Sequence, residues 1–76
     1  MTRQEIFEQI NEHRKFQDEK FGAENKANTP YRWLTIATEE FGEVAKAILD
    51  GEPKENLKKE LIQLAAVCVQ WLEKME

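Results

Sequence analysis

The sequence predicts an all-α protein, a three-helix chain that forms helical bundles through homo-oligomerisation. Three observations carry this reading. Apolar residues recur at three- and four-residue spacing in three segments, Gly, Pro and Thr/Asp punctuation falls between them, and no stretch shows β-type alternation. The chain has 76 residues, 34% of them charged and 41% hydrophobic, which suits a single domain over 1–76. A chain of this length buries only about 60% of its unfolded surface. It carries no disulfide pair and no Cys/His metal set to compensate, so self-association is the expected remedy.

The first helix is expected to start at Thr2-Arg3-Gln4-Glu5, a capping box, and to run to about Lys20 with Ile6, Phe7, Ile10 and Phe16 at helical spacing. Gly22 and the polar stretch GAENKANT follow as a loop. Thr29-Pro30 supplies an N-cap and a proline at the first position of the second helix, where the missing N–H costs nothing. That helix extends to Leu49, and Asp50-Gly51 ends it. Pro53 opens a third helix that continues nearly to the last residue.

At about 100° per residue, the apolar arc of the second helix is made by Trp33, Ile36, Ala37, Phe41, Val44, Ala47 and Ile48. Glu40 falls in the middle of that arc, Glu43 on its edge and Glu39 further round. On the third helix Glu60 projects between Leu64, Val67 and Trp71, with Gln63 just outside. Most of the circumference of this helix is apolar, so cover on two sides is expected, with Trp71, Leu64 or Val67 near a subunit contact. Cys68, inside LAAVCV, reads as core, and His13 as polar surface or a core hydrogen bond.

The net charge of −4, from 11 basic and 15 acidic side chains without a basic stripe, argues against binding a nucleic-acid polymer. The longest apolar run is far short of the roughly 20 residues of a membrane span, and the N-terminal residues contain no apolar signal region. With one unpaired cysteine, a cytoplasmic location is expected.

A carboxylate in an apolar arc costs several kcal/mol unless it is paired, protonated or metal-bound. Glu40 and Glu43 are neighbours one turn apart, as are Glu60 and Gln63. Facing each other across two antiparallel helices, they would make an oxygen-only cluster suited to Mg²⁺ or Mn²⁺. Ion pairs with Arg14, Lys15, Arg32 or Lys46 would compensate the same charges without a metal.

The order E-x-x-E at Glu40/Glu43 then E-x-x-Q at Glu60/Gln63, within YRWLTIATEEFGEVAKAI and ELIQLAAVCVQWLE, resembles the MazG-like all-α nucleoside triphosphate pyrophosphohydrolases. The resemblance spans residues 14 to 73 and is to the short phage- and cassette-borne members. It implies a homodimer or homotetramer and Mg²⁺-dependent hydrolysis between the α- and β-phosphates, with release of pyrophosphate, as a house-cleaning activity on the nucleotide pool. By position it implies that Glu40, Glu43, Glu60 and Gln63 hold metal and that Glu39 or Glu43 orients the attacking water. Arg14 and Lys20 would then face phosphates, and Phe21, Asn25 and Trp33 would enclose the base. Gln63 stands where the family pattern has Asp, which removes one negative charge and leaves as the alternative a non-catalytic metal- or nucleotide-binding module or a structural helical oligomer.

Overall fold

The computed structural model describes residues 1–21 and 29–75, apart from the side chain of Phe21. It holds three helices, α1 (Arg3–Phe21), α2 (Pro30–Leu49) and α3 (Lys54–Lys74), and no strand among the described residues.

The start of α1 follows from reciprocal capping. The Glu5 amide donates to Thr2 Oγ1 at 3.1 Å, and the Thr2 amide donates to Glu5 Oε1 at 2.9 Å. These bonds, the one from the Thr2 backbone first, hold the Glu5 carboxyl below its usual range. At α2, Thr29 Oγ1 accepts from the Arg32 amide at 3.2 Å, with Pro30 as the first helical residue. The helix ends on two closing bonds, Gly51 N–H to the Ile48 carbonyl at 3.2 Å and Glu52 N–H to that of Ala47 at 3.0 Å. Gly51 has φ 63°, the left-handed value that this closure needs and that a side chain disfavours. Pro53 caps α3 from outside, its carbonyl accepting from Asn56 at 2.9 Å, so the helix begins one residue later than the proline.

The third helix is the centre of the molecule. It packs against both α1 and α2, whereas α1 and α2 make no contact with each other among the described residues. The short connection from Leu49 to Lys54 makes α2 and α3 an antiparallel hairpin. The result measures 37 × 26 × 20 Å, only about two helix diameters in its thinnest direction. Such a slab cannot cover a helix all round.

Positions along the hairpin obey a simple register. The α2 seam against α3 runs through Trp33, Ala37, Glu40, Val44 and Ala47, of which Trp33, Val44 and Ala47 are buried. Its counterpart on α3 runs through Glu60, Leu64, Val67 and Trp71. Residues one place earlier on α3, such as Lys59, Gln63, Ala66 and Gln70, turn toward the α1 side; Lys59 and Gln63 line a groove with α1, and Ala66 and Gln70 are buried. Residues one place later turn to the opposite side, which no helix among the described residues covers.

Several sequence expectations change here. Phe41 and Ile48, counted into the α2 arc, are 65% and 62% exposed because the arc is wider than one partner helix can cover. Phe7 and Phe16 on α1 are likewise exposed; the buried residues on α1 are polar, Arg14 and Gln17. Cys68 is exposed rather than core, being one place beyond Val67. Val67 is buried within the chain itself. Among the described residues no helix is long and apolar enough to cross a membrane.

Candidate functional site

The middle of the α2–α3 seam holds the acids. Glu40 sits between Trp33 and Ala47, two turns from each along the seam, and its Oε2 atom is buried without a hydrogen-bond partner. Burial, then the charges of Glu60, Glu43 and Glu39, push the Glu40 carboxyl above its usual value. Desolvation and like-charge repulsion therefore act on one carboxylate in the same direction. Among the described residues neither Glu40 nor Glu60 makes an ion pair, so the cations considered from sequence do not compensate them. Glu60 and Gln63 are half-buried, while Glu39 and Glu43 are exposed beside the seam.

The orphaned Glu40 oxygen is the feature that fits a cation. Against it stands the wider geometry: among the described residues no three His, Cys, Asp or Glu side chains converge as a metal-holding group. The two observations are compatible for Mg²⁺, which is commonly held by one or two carboxylates while waters and substrate phosphates complete the octahedron. The charges of Glu60, Glu43 and Glu39 all act on the Glu40 carboxyl, so these acids share one neighbourhood.

The residues expected to meet substrate divide sharply. Arg14 is 5% exposed, and each of its three guanidinium nitrogens donates one hydrogen bond. It donates to Glu73 Oε1 at 2.6 Å, Asp18 Oδ1 at 2.7 Å and Gln17 Oε1 at 3.0 Å. The Glu73 bond is the largest influence raising its pKa further. Arg14 thus ties α1 to α3 and is buried away from solvent. Trp33 is 2% exposed and packs in the seam, so its ring presents no stacking face to solvent in this chain. Lys20 lies over the Phe16 ring, 5.5 Å from the centroid. Asn25 and the side chain of Phe21 lie outside the described residues.

Sequence reasoning missed two features. A groove of about 730 Å³ runs between α1 and α3, and it reaches Gln63 with Lys58, Lys59, His13 and Phe16 along its walls. His13 stands 5.8 Å from Phe16, centroid to centroid, and burial followed by Lys59 and Arg14 lowers its pKa. Lys58 is held to Glu55, three residues back, at 3.4 Å. The second feature is Gln70, 3% exposed with Nε2 unpartnered. It was visible as the one amide inside AAVCVQWL, but its apolar neighbours masked it.

Comparison with protein-family profiles, with curated proteins and with solved structures finds no match for this chain.

Proposed function

We propose that the chain hydrolyses nucleoside triphosphates between the α- and β-phosphates, releasing a monophosphate and pyrophosphate with the help of Mg²⁺ (Mn²⁺ can substitute). The observation that carries this reading is the unpartnered, buried oxygen of Glu40 among the charges of Glu60, Glu43 and Glu39. A divalent ion, when bound, would supply charge neutralisation for the phosphate oxygens and lower the pKa of a water. Glu40 and Glu60 would hold it. Glu43, exposed one turn from Glu40, orients the attacking water and takes its proton as the bond between the α- and β-phosphates breaks; Glu39 is the other carboxylate within that turn. Lys58 and Lys59, which share the groove with Gln63, replace Arg14 as the cations facing phosphate. Phe16 replaces Trp33 as the exposed ring against which a base can rest, a contact worth about 1–3 kcal/mol.

Pyrophosphate release from a panel of deoxy- and ribonucleoside triphosphates in Mg²⁺ tests the reading. Turnover by the parent and its loss in Glu40→Gln and Glu43→Gln support it; absence of turnover across the panel refutes it. Two observations favour a second reading, a metal- or nucleotide-binding module without turnover: Gln63 brings no charge, and among the described residues no three His, Cys, Asp or Glu side chains form a metal-holding group. Thermal protection by nucleotide and Mg²⁺ without pyrophosphate release would select that alternative.

A further inference from the structure

The first helix is held to the chain in a different way from the other two. Where α2 meets α3 the buried side chains are apolar, Trp33, Val44 and Ala47 with Val67 from the other side. On α1 the buried side chains among those described are both polar, Arg14 and Gln17. Ile6 and Ile10 are half-buried, and Phe7 and Phe16 stay 62% and 51% exposed. Removal of apolar surface from water is the main source of packing free energy, and α1 removes little.

Docking of α1 therefore leans on a polar clasp. Of the three bonds from the Arg14 guanidinium, those to Gln17 and Asp18 stay within α1, and the one to Glu73 crosses to α3. Glu73 sits in the last turn of α3 with its side chain half exposed, where water and salt weaken an ion pair. The contact beside the clasp is narrow. A groove of about 730 Å³ opens past His13 and Phe16, and a hollow of about 410 Å³ opens past Phe7 and Asn11, on opposite sides of α1 by helical position. Gln70, on the α1-facing row of α3, is buried with Nε2 unpartnered, a donor that release of α1 would return to water.

We propose that α1 is a latch: it releases from α3 as one unit while the α2–α3 hairpin stays folded, and its release removes the groove wall that faces Lys59, Ile62 and Gln63. Parts of a protein open in the order of their stability, and those with few buried apolar contacts open first. The hairpin keeps its apolar seam and its Gly51 turn, neither of which involves α1. A free helix of 19 residues is marginal in water even with the Thr2/Glu5 capping box, so the α1 amides exchange with solvent once the latch is open. A ligand that bridges both walls of the groove would hold the latch shut. The latch depends on none of the chemistry assigned to Glu40 and stands if that chemistry fails.

Native-state amide hydrogen exchange on the full chain, read helix by helix at one protein concentration, tests the proposal. The best-protected amides of α1 should exchange at least roughly tenfold faster than those of α2 and α3, after correction for intrinsic rates. Arg14→Leu should speed α1 exchange by roughly another tenfold or more, since it breaks the bond to Glu73. Val44→Ala separates a latch from a single cooperative unit. It removes buried methyl groups from the α2–α3 seam and weakens the hairpin equally with α1 docked or released. Exchange in α2 and α3 should rise by roughly tenfold, and that of α1 should stay as in the parent. Equal protection in all three helices overturns the proposal, as does a Val44→Ala chain in which α1 exchange rises as much as that of the hairpin. So does an Arg14→Leu chain whose α1 exchanges like the parent's.

Discussion

Replacing Glu40 by Gln should make the metal-free protein more stable. The carboxylate holds one oxygen buried and unpartnered, a condition that costs about 1–3 kcal/mol, and Glu60, Glu43 and Glu39 add repulsion. Gln keeps the shape, removes the charge and supplies N–H groups to the neighbouring acids. A net gain of about 1 kcal/mol would raise the melting temperature by about 4–8 °C in a domain of this size. The sign of the pH dependence follows from the raised carboxyl. Its unfolded value is near 4.5 and its folded value higher, so the folded state binds the proton more tightly. The parent's stability from this group is complete below the unfolded pKa and lost as pH rises through the folded one. Parent and variant should therefore melt close together near pH 4 and separate towards pH 8. The assay is thermal unfolding in chelator across that range, at one fixed chain concentration. Excess Mg²⁺ should then raise the parent's melting temperature and leave the variant's unmoved. A variant that melts lower than the parent at about pH 8 in chelator would show that Glu40 is a stabilising partner to something, and the cation argument would fail with it.

Gln63→Asp should lower the melting temperature in chelator, since a further carboxylate joins the cluster, and recover it in excess Mg²⁺; equal loss in both buffers would make Gln63 a packing residue. Arg14→Leu should cost about 2–4 kcal/mol in urea unfolding, because it strands the Gln17 oxygen and unties α1 from α3; a change below about 0.5 kcal/mol would contradict the part given to that residue. Gly51→Ala should cost about 1 kcal/mol, as a Cβ at φ 63° meets no neighbour within 4 Å yet strains its own backbone. An unchanged unfolding midpoint would show that the turn relaxes.

The helix boundaries were legible because they rest on local chemistry. The Thr2/Glu5 box, the Thr29-Pro30 start and the Asp50-Gly51 stop each act within a few residues, and each stands within a residue of where the sequence put it. The position of Glu40 was legible for a related reason: periodicity places a side chain on a helix face without knowledge of the partner. Which part of a face is covered was not. Phe41 and Ile48 share the arc with Trp33 and Val44, and only the crossing of α3 separates the buried pair from the exposed one. Arg14 was misread for the same cause. Its role depends on Glu73, 59 residues away, and on Gln17 facing inward where Phe16 does not. Composition marks a long cation as surface, whereas three acceptors at the α1–α3 contact make it part of the interior.

The placement of α3 between two helices that make no contact with each other among the described residues also fixes an order of events during synthesis. Among the described residues every contact between elements has α3 on one side, so the first two helices leave the ribosome before the helix they both pack against. Lys74 follows Leu49 by roughly 25 residues, about one to five seconds of elongation. Through that interval the nascent segment carries Trp33 and Val44 unprotected, interrupted by the charge of Glu40. The helix made third is the one that turns two separate helices into a fold.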